Sequence, residues 1–220
     1  MVAQSLTMAQ TGFPLPLRNA LAELIIAGLD DPTAASAVAW LTTAAPPPPA
    51  SVVDRLAAVH LLDRVTLDLI EVHRPWLDAM REHAGRGHAA HTRYRQAPAV
   101  AGSLVDVAVV KSAALWNERL FFEVHEVLEF EWKRTTGPVR TALQGLIQMG
   151  VAFHHLKHGN VRGARSLFHD GRERLTVASD ALDRLDTPAL LAATAGWEDA
   201  VAAGEWPGAP PPLPLRPTNR

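Results

Sequence analysis

The sequence predicts an all-α protein, an antiparallel helical bundle with an additional N-terminal helical region. Three observations carry this expectation. Apolar residues recur at helical spacing almost throughout, no segment alternates as a half-buried strand does, and short Gly, Pro and Asn turns separate successive periodic runs. With 220 residues, 48% of them hydrophobic and 20% charged, the chain can bury a core, so disorder as its main state is excluded.

Proline sets the boundaries. Pro46-Pro47-Pro48-Pro49 cannot continue a helix, because each ring removes an amide donor and pushes the preceding residue out of the helical region. This divides the chain into an N-terminal helical extension over 1–83, interrupted by the linker 46–49, then a linker over 84–103, a bundle over 104–206 and a proline-rich tail over 207–220. The tail reads as a loosely ordered, polyproline-like end, or as a segment docking on its own domain or a partner's aromatic groove.

In the extension, Leu17, Leu21, Leu24 and Ile25 share one face of a first helix, which Gly28 and Asp30-Asp31-Pro32 stop. Thr33 to Thr43 is a second helix anchored by Val38, Trp40 and Leu41. Ser51 with Asp54 resembles a capping box opening a third, which carries Leu56 to Ile70 and bends or ends at Pro75. Gly85 to Gly102, rich in Gly, His, Arg and Ala, reads as a linker or irregular excursion.

The bundle follows as Leu104 to Trp116, then Arg119 to Arg134. Gly137-Pro138 opens a helix running to His158. Gly159-Asn160 ends that helix and caps the next, which extends to about Leu185, and Thr187-Pro188 starts a last one containing Leu190, Leu191 and Trp197.

Charge and composition limit function. A formal net charge of -2 gives no electrostatic reason to expect a nucleic-acid partner. The start of the chain lacks a basic and then apolar leader, and no run of about 18 apolar residues occurs, so the expected location is cytoplasmic with no membrane partner. No cysteine is present, so a metal must be held by His, carboxylate or amide oxygen. No nucleotide-binding motif occurs either, which leaves a divalent metal as the candidate cofactor and an unidentified small molecule as candidate ligand. The N-terminal helices are candidate surfaces for homo-oligomerisation.

Two helices carry the chemistry. In the helix after Gly137, Leu143, Leu146, Ile147, Met149, Val151, Phe153 and Leu156 cover nearly the whole circumference, yet Gln144, Gln148 and His155 fall within about 40° of one another. A polar stripe on an enclosed helix needs partners, and the preceding helix offers them in Phe121-Phe122-Glu123-Val124-His125-Glu126-Val127-Leu128-Glu129. His125 and Glu129, four residues apart, share a face expected to be buried, with Glu126 at its rim and Glu123 farther round. Such a pair can share a proton, bind a divalent metal together or act as an acid–base couple. The same residues also suit a hydrogen-bonded network that sets helix register, or one end of an apolar small-ligand pocket lined by Phe121, Phe122, Trp132 and Met149. His154 and His158 read as a solvated helix end, and His60, His73, His83, His88, His91 and His169 as surface or satisfied packing residues.

The ordered pattern Trp116-Asn117, Phe121-Phe122-Glu123-x-His125-Glu126-x-Leu128-Glu129-x-x-Trp132, Gly137-x-x-Arg140-x-x-Leu143-Gln144-Gly145-Leu146-Ile147-Gln148, His154-His155 and Gly159-Asn160-x-x-Gly163-Ala164 resembles domain-of-unknown-function family 309 over about 104–175. This is a small prokaryotic all-helical family sometimes catalogued as predicted metal-dependent hydrolases. The resemblance implies a compact antiparallel bundle in which Gly145 lets these two helices approach and Arg140 pairs with a carboxylate. As a metal-assisted hydrolase, the chain would use His125, Glu129 and His155 as ligands, Glu126 or Glu123 as general base, and Gln144 and Gln148 in the binding site.

Overall fold

The computed structural model describes residues 12–44, 47–97, 102–205 and 207–217. Among them every regular element is helical, and extended pairing is confined to two isolated bridges, Leu62 with Leu69 and Leu185 with Leu215. No helix among the described residues is long and apolar enough to cross a membrane. The chain divides into two compact units, Gly12–Ala97 and, C-terminal to it, Pro98–Arg220.

In the first unit, α1 (Leu15–Ala27) buries Leu17, Leu21, Leu24 and Ile25, the face selected by the periodicity. Asp31 caps α2 (Pro32–Leu41) by accepting a hydrogen bond from the Thr33 amide at 2.8 Å. The helix after the prolines, α3 (Ala50–Ala58), starts without a side-chain cap. Asp54, expected to serve Ser51, pairs with Arg64 instead. α3 is also shorter than the expected helix to Pro75. His60 turns to φ +58°, and Asp63 draws the amides of Val65 and Thr66 onto its carboxylate at 2.7 and 2.9 Å. These local bonds compete with the helix, and the chain folds back into a loop that buries Leu61 and Leu62 before a 3-10 turn at Glu71–Trp76.

The linker expected over 84–103 is largely helix, because α4 spans Leu77–Gln96. Its buried stripe is Met80, Ala84, Gly87, Ala90 and His91, so the helical period is present but written mostly in small residues. A β-carbon at Gly87 would stand 2.7 Å from Ile25 Cγ1, and one at Gly28 would stand 2.4 Å from the His91 ring. Glycine at both positions lets α4 seat against its neighbours. His91 is fully buried, donates from Nε2 to the Ile25 carbonyl at 2.8 Å, and has its pKa lowered mainly by burial.

The second unit opens with α5 (Leu104–Asn117). Its capping box is complete: Ser103 Oγ accepts from the Asp106 amide at 3.2 Å and Asp106 accepts from the Ser103 amide at 2.9 Å. At the end of α5, Arg119 takes φ +59° and the Leu120 amide reaches the Leu115 carbonyl at 3.0 Å. That closure delays the next helix, α6 (Phe121–Trp132), by two residues relative to a start at Arg119. α7 (Gly137–Lys157) and α8 (Val161–Val177) follow, with Asn160 Oδ1 capping α8 through the Gly163 amide at 3.0 Å.

α8 stops at Val177, short of Leu185. The expected last helix is two, α9 (Thr187–Ala193) and α10 (Trp197–Ala202), parted by Gly196 at φ +79°. Arg172 of α8 holds this corner, donating to the Leu191 carbonyl at 2.9 Å and to Thr194 Oγ1 at 2.7 Å.

Consecutive helices from α5 to α8 pack in chain order. Phe121, at the start of α6, stacks on Phe153, near the end of α7, so this pair runs antiparallel. The closest approach is between α7 and α8. A β-carbon on Gly145 would meet the Gly171 carbonyl oxygen at 2.9 Å, and one on Gly171 would meet the Gly145 carbonyl oxygen at the same distance. Gly145 therefore serves the α7–α8 contact, not the α6–α7 contact that the resemblance implies.

The proline-rich tail docks on its own unit. Leu213 is 3% exposed, its amide donates to Asn117 Oδ1 at 3.0 Å, and Trp116 Nε1 donates to the Pro211 carbonyl at 2.8 Å. A loosely ordered end would satisfy none of these groups.

Gly145→Ala should lower the unfolding free energy by about 1–3 kcal/mol, because the methyl meets backbone that moves only if two helices separate. Urea denaturation checks this, and an unchanged midpoint would contradict the close approach.

Candidate functional site

α6 buries one stripe, made of Phe121, Glu123, Val124, Val127, Leu128 and Glu131. His125 and Glu129, expected on the buried face, lie beside this stripe and are partly exposed, with about a third of each side chain accessible (31% and 32%). The physical reason is the placing of the aromatic residues that flank them. Phe130 is 56% exposed beneath the Arg134 guanidinium, whose Cζ stands 3.3 Å from the ring centre. Trp132 is covered by Arg140 at 3.8 Å, and Phe122 stacks on His125 at 6.5 Å. Rings that mark a core on a helical wheel here lie along its edge, shielded by cations and an imidazole.

Each predicted ligand has a local partner. His125 Nδ1 lies 3.0 Å from Oε1 of its exposed neighbour Glu126. Glu129 pairs with Lys133 at 2.9 Å, and that hydrogen bond holds the Glu129 carboxyl below its ordinary pKa. His155 accepts at Nδ1 from the Asn160 side-chain amide at 3.0 Å, so it positions the cap of α8. Gln148 accepts at Oε1 from Arg174 Nε of α8 at 3.0 Å, where His125 was its expected partner. Gln144 is half-buried one turn earlier on α7. Arg140 does not pair with a carboxylate. Its Nη1 donates to the carbonyls of Trp132 and Thr135 at 2.9 and 3.3 Å, closing the C-terminal end of α6.

His125, Glu129 and His155 therefore do not form one donor set. Among the described residues no group of three or more His, Asp or Glu side chains is arranged to hold a metal ion. The residues expected to line an apolar ligand pocket are also engaged elsewhere: Phe121 is stacked on Phe153 at 5.4 Å and Met149 is fully buried.

What the fold brings together is different. Glu123, 1% exposed on α6, acts electrostatically on His154 of α7, which also faces His155 and His158. The His154 and His158 rings are 4.4 Å apart, and His158 Nδ1 donates to the His154 carbonyl at 2.9 Å. Burial, and then the neighbouring His158, His155 and Lys157, push the His154 pKa down to about 4, with Glu123 opposing them. His154, expected on a solvated helix end, is instead half-buried. The available signal was position, because His154 directly follows the buried Phe153.

The turn at Trp116-Asn117, the α6 helix, the paired glycine of α7 and the Asn160 cap form one continuous run of chain. Residues 110–167 match the family model for Domain of unknown function (DUF309). The DUF309 match runs from α5 into α8 and lies inside the stretch over which the motifs resemble that family. No curated protein and no solved structure matches the chain.

The fold holds His154 neutral, while an unfolded imidazole takes a proton near pH 6.5. Between about 6.5 and about 4 the unfolded state binds more protons, so this contribution to stability is complete above that window and is lost as the pH falls through it. His154→Gln should flatten the acid limb: the urea midpoint should fall less between pH 7 and pH 4.5 than in the parent chain, and equal falls would remove His154 from that role.

Proposed function

We propose that this chain is a non-catalytic helical interaction module, in which the His, Glu and Gln side chains of the DUF309 segment close helix ends and cross-link helices. One observation carries the reading: the side chains that would have to converge for chemistry are bonded instead to separate partners. Gln148 ties α7 to α8 through Arg174, and His155 sets the α8 cap through Asn160. His125 and Glu129 are held by Glu126 and Lys133 on the surface of their own helix. These are the partners of a bundle that must satisfy its polar groups, not of a centre with an open coordination position.

Metal-assisted hydrolysis requires three protein ligands around one point and a base beside a bound water. Here Glu126 is exposed and already bonded to His125, whereas Glu123 is buried and acts electrostatically on His154. That no three such side chains converge among the described residues supports a module without a resident metal.

Two measurements test this. His125→Ala should change the unfolding free energy by no more than about 0.5 kcal/mol, as expected for an exposed pair, while Gln148→Leu should cost about 1–3 kcal/mol by stranding Arg174 Nε. Isothermal titration of the full chain with Zn²⁺ and with Mn²⁺ should give no stoichiometric binding that His125→Ala abolishes. Stoichiometric, His125-dependent binding would overturn the module reading.

A further inference from the structure

In the N-terminal unit α4 packs on α1 and α2, yet Met80 is the one large apolar side chain of its buried stripe. Ala84, Gly87 and Ala90 remove little apolar area from water, and the remaining member, His91, is an imidazole. The fit is nevertheless close. A β-carbon on Gly87 would stand 2.7 Å from Ile25 Cγ1 and 3.2 Å from Val38 Cγ1, and both of those residues are buried. The seat of α4 thus combines tight contact with little apolar area to offset the arrival of a charge.

His91 is where such a charge would fall. Its Nε2 donates to the Ile25 carbonyl at 2.8 Å, a bond that joins α4 to α1, so the neutral ring keeps its lone pair on Nδ1. That nitrogen is buried with no hydrogen-bond partner among the described residues. A second proton would create a donor and a positive charge there, with nothing to meet either. Nor can the ring retreat towards α1, because a β-carbon on Gly28 would already stand 2.4 Å from its Cε1. The charged groups that act on the ring are Arg95 and His88, both on α4, and both oppose the proton. α2 carries no charged side chain, and Arg18, Glu23, Asp30 and Asp31, of α1 and its turn into α2, contribute no countercharge. The 3-10 turn with Glu71, His73 and Arg74 joins the opposite end of α4.

We infer that His91 is an acid-released latch: the neutral imidazole pins α4 on α1, and a second proton on Nδ1 frees α4 and uncovers the apolar surface of Ile25 and Val38 beneath Gly87. The latch lies in the unit outside the DUF309 match, so it stands apart from the module reading and from its metal test. Its sign follows from burial, which is the main cause holding the His91 pKa below the ordinary value of 6.5. A released ring takes up a proton that the seated ring refuses. The latch is therefore complete above about pH 6.5 and weakens below it, by up to about tenfold per pH unit until the seated ring itself titrates.

His91→Gln is the discriminating variant, because a glutamine amide keeps a donor for the Ile25 carbonyl and does not titrate. The measurement is hydrogen–deuterium exchange of the full chain at about pH 7.5 and about pH 5, corrected for the intrinsic rate. In the parent chain protection across α4 should fall by about fivefold or more on acidification, with α1 and α2 losing less, whereas in His91→Gln the α4 protection should change by less than about twofold. An α4 that keeps its protection in acid, or loses as much in His91→Gln, overturns the inference. So does an equal loss across α1, α2 and α4, which means that the unit unfolds whole. Where His91→Gln does not fold, an NMR titration of the parent His91 ring decides. A ring that takes up its proton over the pH range in which α4 loses protection supports the latch. One that stays neutral while α4 opens, or becomes charged with α4 still protected, overturns it.

Discussion

Phe153 is the residue on which the second unit depends. It is 1% exposed and meets four other rings: Trp116 of α5 at 5.3 Å, Phe121 of α6 at 5.4 Å, Phe168 of α8 at 4.9 Å and Trp197 of α10 at 5.0 Å. One side chain of α7 thus joins elements from four other helices. Three of the contacts are edge-to-face, the arrangement that aromatic quadrupoles favour, and they fix orientation as well as distance. The glycines at 145 and 171 complete the arrangement by letting α8 close on α7, which carries Phe168 to the cluster.

The polar groups are arranged around that cluster. Because Phe153 pins the end of α7, its neighbour His154 is held half-buried, which disfavours the imidazolium, while the charge of Glu123 opposes that effect. Trp116 contributes its ring to the cluster and its N–H to the tail, so the same indole links the apolar core to the proline-rich segment. His155, Gln148 and Arg140 then close the ends and seams that the packed rings leave open.

Much of the architecture was legible beforehand. The helical period, the Asn160 cap and the Gly137-Pro138 start of α7 follow from local chemistry that the tertiary fold retains. The exceptions have specific causes. α4 was hidden because, Met80 apart, its buried face is alanine, glycine and one histidine, which leaves no period of large apolar residues. α3 was overextended because His60 and Asp63 redirect the backbone through a left-handed turn and side-chain bonds that no hydrophobic period records.

The candidate site was less legible. A helical wheel correctly places His125 beside Glu129, and Gln144 beside Gln148, because those relations depend only on rise and turn. It does not say which stripe meets a neighbour. On α6 that choice fell to Val124, Leu128 and Phe121, since Phe130 and Trp132 found guanidinium cover at the surface, and on α7 Gln148 turned to Arg174 of α8. By itself the sequence determined that the chain is helical, where most helices begin, and which polar residues share a face. Only the tertiary structure decided which faces are buried and that the proline tail is seated on Trp116 and Asn117, because burial and docking are set by contacts between segments far apart in the chain.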